Sequence, residues 1–547
     1  GYPLSFKSLV LYRNTDLVPE APADTDALLK VASTLRERDL FGLAYQADSF
    51  YFHSAWFLGF GAQIPLDPSG GAFESAQALD SFRFVEDLVR KKVIPQEVTG
   101  ALVTDLFNRA QAGMVISGPW MLGEIDSSIP FALSPLPLVS KTGKAASPFL
   151  TTEAAFVSSQ ARRPADAALL AKFLSGPVGA EIRARIGKQP VAYADTWNED
   201  FLQDDGILRA FREQLSSATP IPNGSSMGQV WEPGDLALKK LLRANTDALA
   251  AGQSATRRHQ AITRPAPQAV GTGLYTGILF LLVALGVFLG VRRLSEIYQS
   301  GQGQNLLTGL RWTGPVWVTT GILVFIPFVM ALALAFFSHR AGEWTFVGLG
   351  NFQSILSAEG FGVFEPLSFY FALVVTVFWT LVNIVLHVGI GIALALILNQ
   401  QGLHLKGIYR VLLIIPWAVP NYITALIWKG MFHRQFGVIN GMLEILGVEG
   451  VAWFSSFWTA FCANVCTNAW LGFPFMMVVC LGALQSIPKE LYDAASIDGA
   501  GFFAQFKHVT WPLLMPAMAP AVMAAVETSF ILFNALSTFA ALLGAIS

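Results

Sequence analysis

The residues best suited to specific binding in this chain form a polar, glycine-containing segment between two apolar stretches near the C-terminus. The segment reads Glu490-Leu-Tyr-Asp-Ala-Ala-Ser-Ile-Asp-Gly-Ala-Gly501 and is followed by Val509-Thr-Trp-Pro512. The small side chains of Ala494 and Ala495 would let a helix lie close in a partner's groove, and Gly499 permits a sharp turn at low steric cost. We expect Pro512 and Pro516 to end the segment and to begin the next helix.

Motifs for enzyme catalysis are scarce. Thr142-Gly-Lys144 and Gly187-Lys188 lack the earlier Gly and the following Ser or Thr of a phosphate-binding P-loop, so we find no ATPase motif in this chain. The adjacent acids Asp204 and Asp205 are better explained as solvated loop residues than as a glycosidase pair. We therefore expect no catalytic residue, no metal site and no cofactor in the chain itself.

The composition is that of a protein that is partly embedded in a membrane. Only 14% of the 547 residues are charged, whereas soluble domains carry about 25%. Six apolar runs approach the ~20 residues needed to cross a bilayer, and they cover Leu274–Val291, Val316–Phe337, Ser368–Leu398, Val411–Trp428, Trp458–Leu481 and Ala517–Phe539. The net charge of −2 gives no electrostatic case for binding nucleic acid.

Cysteines are few and all lie in the apolar half of the chain, as Cys462, Cys466 and Cys480. Cys462 and Cys466 share one helical face, but they have no His or acidic neighbour in the sequence. Helix packing therefore explains these thiols better than a metal site does.

Basic residues predict the orientation of the apolar runs. They are more frequent in the loops after the first, third and fifth runs, as Arg292, Arg293, Arg311, Lys406, Arg410, Lys489 and Lys507. The opposite side has Arg340, Arg434 and Lys429. The positive-inside rule places the first group in the cytoplasm, together with the segment around Ala494, and places the N-terminal half outside.

Residues 1–262 have the alternation of short apolar strands and amphipathic helices that is typical of an α/β domain. The pattern predicts a helix at Pro164–Ser175, with Pro in the first turn. It also predicts a helix end, a strand and a turn over Ala110–Trp120. Pro and Gly in 263–273 indicate a short linker to the transmembrane domain, which we assign to 274–547.

The polar segment resembles the EAA loop of ABC-importer permeases, a short cytoplasmic helix pair that docks on the ATPase subunit. The resemblance implies that Asp493, Ala494, Ala495, Asp498 and Gly499, in a loop of about 484–516, couple the chain to an ATPase. Asp493 stands where the family has Glu.

Further motifs resemble the MalF-type permease of maltose and maltodextrin importers. They are Phe346-Val-Gly-Leu-Gly-Asn-Phe352, Lys406-Gly-Ile-Tyr-Arg-Val-Leu-Leu-Ile-Ile-Pro-Trp-Ala-Val-Pro420, Phe436-Gly-Val-Ile-Asn440 and Trp470-Leu-Gly-Phe-Pro-Phe475. The resemblance implies an all-α, polytopic membrane domain with a sugar path at Leu471, Gly472 and Phe475. A lipid-facing or packing role for Phe473 and Phe475 remains open. The resemblance stops at Ala535, so we expect this domain to be incomplete at its C-terminal end.

The N-terminal half resembles a solute-binding protein of the maltose-binding type. The motifs are Val10-Leu-Tyr-Arg-Asn-Thr-Asp-Leu-Val-Pro19, Ala112-Gly-Met-Val-Ile-Ser-Gly-Pro-Trp120 and Met227-Gly-Gln-Val-Trp231. The match begins about a third of the way into such a protein, so we expect a partial domain. The resemblance implies that Tyr51, Phe52, Trp120 and Trp231 stack on sugar rings and that Asp48 binds a hydroxyl. Lys7 stands where the maltose binder has an acid.

Together these resemblances imply the transmembrane subunit of an ATP-driven importer for maltose-like sugars, fused to its own binding domain. The implied partners are a MalG-like second permease subunit and a MalK-like ATPase dimer that carries ATP and Mg²⁺. The implied location is the bacterial inner membrane, with the N-terminal domain in the periplasm. The alternatives are a permease for another carbohydrate whose outer domain is regulatory or vestigial, a membrane sugar sensor, and a tethered glycan hydrolase.

Overall fold

The structure is a computed structural model. It describes residues 1–547 except 97, 225, 244–245, 302, 341–342, 359–361, 365–367, 401, 455, 525 and 527–547; among the helices and strands, the side chains of 203, 303–307 and 340 are also left undescribed. The chain divides into two compact units. One comprises Gly1–Thr263 and the described residues from Phe378 on, and the other comprises Arg264–Val377.

Residues 1–263 form the predicted α/β domain. Its strands are β1 (Tyr2–Lys7), β2 (Val10–Asn14), β3 (Phe41–Ala44), β4 (Ala112–Ser117), β5 (Phe131–Ser134), β6 (Leu138–Val139), β7 (Lys144–Ala145), β8 (Phe149–Ala155) and β9 (Thr219–Pro220). Its helices are α1 (Thr25–Glu37), α2 (Phe50–Gly59), α3 (Ala76–Arg90), α4 (Gly100–Asn108), α5 (Pro164–Ser175), α6 (Pro177–Arg185), α7 (Asp200–Gln203), α8 (Gly206–Leu215), α9 (Trp231–Leu242) and α10 (Ala248–Thr263). Short 3₁₀ helices lie at Gly71–Glu74, Pro119–Glu124, Ala194–Asn198 and Met227–Gln229.

The central sheet has the strand order β3-β4-β2-β5. Strand β2 is antiparallel to both β4 and β5, whereas β3 is parallel to β4. Successive residues of β2 point to opposite faces, as a pleated strand requires. Leu11 therefore packs into one apolar core, and Val10 and Tyr12 pack into a second one on the other face. A sheet that is buried on both faces holds the loops at its edges in fixed positions.

A second sheet has the order β1-β8-β9, with β1 antiparallel and β9 parallel to β8, and β6 pairs with β7. The helix predicted at Pro164–Ser175 is confirmed as α5, with the same bounds. The predicted helix end, strand and turn correspond to the end of α4, β4 and the 3₁₀ helix Pro119–Glu124.

The unit Arg264–Val377 contains α11 (Gly273–Gln299), α12 (Gly303–Thr320), the π-helix Gly321–Phe325, α13 (Ile326–Leu334), β10 (Phe337–Arg340), β11 (Glu343–Phe346) and α14 (Gly350–Leu356). The prediction of an all-α membrane domain is wrong at one place, because β10 and β11 pair as an antiparallel hairpin. The rings of Phe337 and Phe346 lie opposite each other in this hairpin with centroids 5.2 Å apart, and such cross-strand aromatic pairs stabilise strands. Helix α11 also continues through Arg292 and Arg293, which the sequence had placed in a loop.

Helix α15 (Phe369–Asn399) leads into the second group of apolar helices. They are α16 (Lys406–Ala418), α17 (Asn421–Met431), α18 (Val438–Ile445), α19 (Phe457–Gln485), α20 (Lys489–Ile497) and α21 (Phe502–Gln505), followed by a π-helix at Phe506–Thr510 and helix over 511–524. The α-helix over 511–524 begins at Trp511, so Pro512 lies in its first turn as predicted, whereas Pro516 lies further inside the helix. The π-helical segment just before Pro512 provides a local distortion of the kind that accommodates proline's missing N–H.

Four helices of the described part of the chain are long and apolar enough to cross a membrane: Gly273–Gln299, Thr308–Leu334, Phe369–Asn399 and Phe457–Gln485. They contain the predicted first, third and fifth runs almost entirely and most of the second. The predicted fourth run is not one straight helix, because α16 and α17 meet at an angle of 93°. Val419 is extended there and Pro420 has no N–H to donate, so the helix is interrupted. Most of the sixth run, with the 528–534 stretch, lies outside the described residues.

Candidate functional site

Three of the predicted aromatic side chains meet at one place in the α/β domain. Tyr51 and Phe52 lie at the start of α2, and their ring centroids are 5.6 Å apart. The ring of Trp120, from the 3₁₀ helix that follows β4, lies 6.5 Å from Tyr51 and 6.4 Å from Phe52. These separations fall within the about 4.5–7 Å over which aromatic pairs attract each other.

Trp231 joins this group through a residue that the sequence did not reveal. The centroid of Phe149 lies 6.4 Å from that of Tyr51 and 5.7 Å from that of Trp231. Phe149 is only 1% exposed, and Trp231 is half-buried. One continuous aromatic row therefore runs from Trp231 through Phe149 and Tyr51 to Phe52 and Trp120. Nothing in the sequence around Phe149 distinguishes it from an ordinary core residue.

The members of this aromatic row differ in what they can offer a ligand. Trp120 is 41% exposed, whereas Phe52 is only 7% exposed. Trp120 can therefore present a ring to a ligand, and Phe52 mainly supports that ring from the protein side. Burial raises the pKa of Tyr51 to about 12, and a hydrogen bond with Thr151 acts in the opposite direction. The phenol of Tyr51 is thus neutral at physiological pH and can both donate and accept a hydrogen bond.

The position of Trp120 depends on two residues that sequence reasoning missed. The hydroxyl of Tyr12, a buried residue of β2, donates a hydrogen bond of 2.7 Å to the carbonyl oxygen of Gly118. A Cβ atom at Gly118 would lie 2.1 Å from the Trp120 ring. Only glycine fits at this position without displacing the tryptophan, and Tyr12 fixes the backbone on which the ring rests.

Asp48 lies two residues before α2 and is half-buried. Burial raises its pKa above the usual range. A second carboxylate, Asp235 of α9, is only 4% exposed, and its Oδ1 accepts a 2.6 Å hydrogen bond from the backbone N–H of Phe50. Burial raises the pKa of Asp235 to about 6. Asp235 thus caps the helix that carries Tyr51. The local sequence does not show this role, because Asp235 lies far along the chain from that helix.

Lys7 is engaged within the sheet. Its Nζ lies 2.5 Å from a carboxylate oxygen of Glu153 on the neighbouring strand β8, and the Ser5 hydroxyl donates to the same carboxylate over 2.8 Å. The hydrogen bond from Lys7, followed by that from Ser5, lowers the pKa of Glu153. The positive charge of Lys7 is therefore balanced locally.

A cavity of about 520 Å³ opens beside the exposed end of the aromatic row. Phe52 and Trp120 contribute its aromatic wall, and Gln46, Thr104 and Glu124 are among its polar lining residues. Tyr51, Trp231 and Asp48 do not line the cavity. A concave site of this size, with aromatic rings on one side and a few polar groups on the other, is typical of small-molecule binding.

The predicted membrane positions share one stretch of α19. Phe475 is exposed, and its ring lies 6.1 Å from that of Trp417 on α16. Leu471 and Gly472 are half-buried. The space beside Gly472 is occupied by His387 of α15, since a Cβ at Gly472 would lie 2.2 Å from the His387 ring. In this structure the ring that approaches the Gly472 backbone is thus an imidazole; a role for Leu471, Gly472 and Phe475 in the sugar path stays a prediction.

Polar side chains connect α15 and α19 at the same level. His387 Nε2 donates to the carbonyl oxygen of Asn468 over 2.9 Å. Asn468 Nδ2 donates to Asn383 Oδ1 over 2.7 Å, and Asn383 Nδ2 donates to the carbonyl oxygen of Trp379 over 2.8 Å. Polar groups in an apolar environment persist when they are paired in this way, and they fix the helices that carry them.

The predicted coupling segment is a helix pair, α20 and α21. Gly499 between them has φ +79°, the left-handed conformation that glycine adopts without strain. Gln505 Nε2 of α21 donates to Ser496 Oγ of α20 over 2.8 Å. The hydroxyls of Tyr492 in α20 and Thr510 in the following π-helix are 3.0 Å apart, so α20 is held to both segments.

The surface of this helix pair is open to a partner. Asp493, Ala494, Asp498 and Gly499 are exposed, and Ala495 is half-buried. Three apolar side chains that the sequence did not single out are strongly exposed: Ile497 at 86%, Phe502 at 63% and Phe503 at 85%. Large apolar side chains exposed together on a short loop indicate an interaction surface.

Comparison with known proteins finds a family match in each half of the chain. Residues 387–545 match the family model of the binding-protein-dependent transport system inner membrane component, and residues 1–205 match that of the bacterial extracellular solute-binding protein. The chain therefore contains one region similar to each of these two families. The resemblances expected from the motifs are therefore confirmed, and the apolar helices are those of a multi-pass membrane protein.

Two curated relatives resemble parts of the chain. The maltose/maltodextrin transport system permease protein MalF of Salmonella typhimurium (strain LT2) is 41% identical over 184 residues, which are 34% of this chain and 35% of that protein. The galactooligosaccharides transport system permease protein GanP of Bacillus subtilis (strain 168) is 35% identical over 236 residues, 42% of this chain and 55% of that protein. The chain thus spans from 35% to 55% of the length of these relatives.

Among solved structures, the maltose-maltodextrin binding protein of Alicyclobacillus acidocaldarius covers 47% of this chain and 70% of its own, with 23% identity and a TM-score of 0.43. The maltotriose binding protein of Thermus thermophilus covers 48% of this chain and 72% of its own, with 21% identity and a TM-score of 0.44. The α/β class of residues 1–263 follows from the strands and helices described above.

Proposed function

We propose that the chain acts as a transmembrane subunit of an ATP-driven ABC importer for maltose- or maltodextrin-like sugars, with a sugar-binding domain fused outside the membrane. The observation that carries the proposal is that all four aromatic residues predicted to bind sugar lie in the same aromatic row. The sequence scatters them over 180 positions from Tyr51 to Trp231. An exposed ring such as Trp120 can stack on the apolar C–H face of a pyranose, and nearby polar groups can pair with its hydroxyls.

The mechanism would be alternating access. The outer domain binds a glucan along the aromatic row and presents it to the membrane helices. ATP binding by the partner subunits is transmitted through the α20–α21 pair, whose exposed Ile497, Phe502 and Phe503 would fill a groove on the ATPase. We expect ATP and Mg²⁺ to bind the partner ATPase subunits and not this chain.

The proposal needs further subunits, since one permease chain does not enclose a path. We propose a MalG-like second permease and a MalK-like ATPase dimer as partners, and a location in the bacterial inner membrane with residues 1–262 in the periplasm. This orientation is supported by the basic residues near the cytoplasmic ends of the apolar runs, such as Arg292, Arg293 and Lys489.

A second candidate substrate class has support from the comparisons. The similarity to GanP, which is named for galactooligosaccharides, extends over 236 residues. Aromatic stacking alone does not separate glucosyl from galactosyl rings, because the two differ in the orientation of one hydroxyl. The polar partners around the aromatic row must make that distinction.

The test is ATP hydrolysis by the protein reconstituted in liposomes with its second permease and ATPase subunits, without any soluble binding protein. Stimulation by maltose or maltodextrins is the expected result. Stimulation by galactooligosaccharides alone would support the second candidate. Stimulation only after adding a separate binding protein would show that the fused domain is regulatory or vestigial, and no response to any sugar in an assembled complex would reject the substrate assignment.

A further inference from the structure

The linker that leads into α11 is bound to the hairpin of β10 and β11. The N–H of Val270 donates a 3.0 Å hydrogen bond to the carbonyl oxygen of Phe346 in β11. The hairpin is a two-stranded sheet, so backbone groups on the outer edge of β11 can bond to a further extended segment. Val270 uses one of these groups, and a linker that is bonded to a strand does not move as a free tether.

Tyr275, in the first turn of α11, lies against the same strand. Its ring centroid is 5.1 Å from that of Phe346, and its hydroxyl oxygen accepts a 3.4 Å hydrogen bond from the N–H of Leu349. A Cβ at Gly348 would lie 2.4 Å from that hydroxyl oxygen, so the glycine leaves the space that Tyr275 fills. Tyr275 is half-buried, whereas the other residues of 271–280 are exposed. Tyr275 therefore holds the start of α11 against the hairpin.

Pro267 provides a third contact, at the other end of the linker. A Cβ at Gly350, just after the hairpin, would lie 2.7 Å from the Cβ of Pro267. The segment that receives Pro267 is itself fixed, because Asn351 Nδ2 donates to the carbonyl oxygen of Phe337 in β10 over 3.0 Å. Contacts thus hold the linker from Pro267 to the start of α11.

The last helix of the α/β domain, α10, is fastened to its own domain up to its final residue. Three of its side chains, one turn apart, point to consecutive carbonyl oxygens of the loop at 68–70: Thr256 to Gly70 over 3.2 Å, Gln260 to Ser69 over 2.9 Å and Thr263 to Pro68 over 2.9 Å. The Thr263 hydroxyl also lies 2.8 Å from the carbonyl oxygen of His259, so its proton is shared between two oxygens. The domain side of the linker is therefore fixed as well.

Only residues 264–266 lie between these two fixed ends. The four Cα–Cα steps from Thr263 to Pro267 span about 14 Å at most, whereas an unattached linker from Thr263 to Gly273 would span about 35 Å. Prolines at 265 and 267 restrict the short segment further, because proline fixes its own φ and limits the residue before it. A compact domain of the size of residues 1–263 has a radius of gyration of about 18 Å. The connection is thus shorter than the domain that it carries.

We propose that the hairpin of β10 and β11 is the docking surface for the chain's own linker and that it confines the outer domain to the permease of the same chain. The domain can pivot on residues 264–266. It cannot reach another copy of the permease, because a neighbouring copy lies several helix widths away and one helix is about 10 Å across. This inference rests on the proposed function, since it takes residues 1–262 as the sugar receptor.

Confinement defines which receptor serves the permease. A tether this short keeps the outer domain at a local concentration on the order of millimolar or more. A soluble receptor at micromolar concentration would compete poorly with it. The attached domain therefore acts on its own chain and is not exchanged during transport.

Hydrogen exchange of backbone amides, followed by mass spectrometry on the whole chain in lipid nanodiscs, tests the attachment. We expect the amide of Val270 to exchange at least about tenfold more slowly than in an unstructured chain. Tyr275→Ala removes the ring that holds α11 on the hairpin, and it should speed this exchange about tenfold. Tyr298→Ala, at a tyrosine of the same helix that is 81% exposed, is the matched control and should change nothing.

A second variant tests the same attachment from the hairpin side. Gly350→Ala places a methyl group against Pro267 and leaves every linker residue unchanged. It should also speed exchange at Val270. Gly277→Ala, where nothing lies within 4 Å of a Cβ, is its control.

Confinement is tested with two complexes in the same liposomes, each assembled with its second permease and ATPase subunits. The acceptor carries Trp120→Ala and active ATPase subunits. The donor has the native outer domain and ATPase subunits that cannot hydrolyse ATP. With the native linker in the donor, maltodextrin should stimulate ATP hydrolysis by less than about a tenth of the wild-type response. A Gly/Ser insertion of about 30 residues after Pro265 of the donor, which spans about 30 Å on average, should raise that stimulation at least about threefold.

Each part of the proposal has a result that would overturn it. Fast exchange at Val270 in the wild-type chain, or exchange that Tyr275→Ala leaves unchanged, would show that the hairpin does not hold the linker. Stimulation of the acceptor by a donor with the native linker, or none with the lengthened linker, would reject confinement by the tether. A wild-type complex that responds to no sugar would reject the proposed function and the receptor role, whereas hydrogen exchange at Val270 needs no sugar and decides the attachment by itself.

Discussion

Asp235 accepts a 2.6 Å hydrogen bond from the backbone N–H of Phe50, 185 positions earlier in the chain. The bond joins the start of α2, which carries Tyr51 and Phe52, to α9, which begins with Trp231. Ser49, the residue at the N-cap of α2, makes no side-chain capping bond, so Asp235 supplies the cap from a distant helix. A buried carboxylate thus joins the helix that begins with Trp231 to the helix that carries Tyr51 and Phe52.

Replacing Asp235 with Asn should stabilise the outer domain at neutral pH. Burial raises the pKa of Asp235 from 3.8 to about 6, so the folded state holds the proton more tightly than the unfolded state. The resulting contribution to the free energy of unfolding is fully present below pH 3.8 and is lost as the pH rises through about 6. Asn keeps an acceptor for Phe50 without the buried charge. The free energy of unfolding of Asp235→Asn should therefore increase relative to that of the wild-type protein as the pH rises from 4 to 7, by roughly 3 kcal/mol at most.

The measurement is thermal unfolding followed by tryptophan fluorescence at several pH values. Asp235→Ala is the control, because it removes the acceptor as well and leaves the N–H of Phe50 unpaired, at a cost of about 1–3 kcal/mol. A difference in melting temperature between Asp235→Asn and the wild-type protein that does not change with pH would contradict the assignment of a raised pKa to Asp235.

Adding one methyl group at Gly118 should weaken sugar binding without altering any residue that contacts sugar. A Cβ there would lie 2.1 Å from the Trp120 ring, so the ring must move. We expect Gly118→Ala to weaken sugar binding about as much as Trp120→Ala does. The loss should be about tenfold or more, which corresponds to one lost aromatic contact. Gly123→Ala, where nothing lies within 4 Å, is the matched control. Normal affinity in Gly118→Ala would mean that Trp120 is not a ligand contact.

The packing of α15 on α19 should depend on Gly472 through His387. A Cβ at Gly472 would lie 2.2 Å from the imidazole ring, and Gly472→Ala should lower the melting temperature and the sugar-stimulated ATPase rate. Removing the ring as well, in Gly472→Ala with His387→Ala, should recover part of the melting temperature because the clash is gone.

Gly482→Ala on the same helix provides the control, since nothing lies within 4 Å of a Cβ there. If the double variant is no more stable than Gly472→Ala alone, the contact between His387 and Gly472 is not the cause of the loss.

The coupling segment should tolerate a methyl group at one glycine and not at another. Gly499 has φ +79°, where a side chain costs about 1–2 kcal/mol, whereas Gly501 has φ −72°. Gly499→Ala should impair assembly with the ATPase, and Gly501→Ala should not, as measured by co-purification of the subunits. Equal effects at both positions would argue against a requirement for the turn.

Phe503 should matter for assembly but not for folding. Its side chain is 85% exposed, so Phe503→Ala should change the free energy of unfolding by no more than about 0.5 kcal/mol. Assembly with the ATPase subunits should weaken, because an apolar side chain that is exposed in the isolated chain would be buried in the complex. Unchanged assembly would remove Phe503 from the docking surface.

Local sequence determined many of the helices and turns of this protein. The apolar runs that predict α11, α15 and α19 are long, and a run of about 20 apolar residues satisfies its own backbone hydrogen bonds only as a helix. Pro at the first position of α5 and glycine at the turn after α20 likewise act within a few residues of their own position. Such features need no knowledge of distant contacts.

Tertiary structure alone decided the rest. Phe149, Asp235, Tyr12 and His387 have no local pattern that sets them apart, and each acts on a residue at least 80 positions away. The bend between α16 and α17 interrupts a run whose composition favours helix, and the pairing of β10 with β11 follows the end of the second run. The contacts of a packed side chain come from other helices and strands. Those contacts exist only in the folded chain, so the local sequence does not show them.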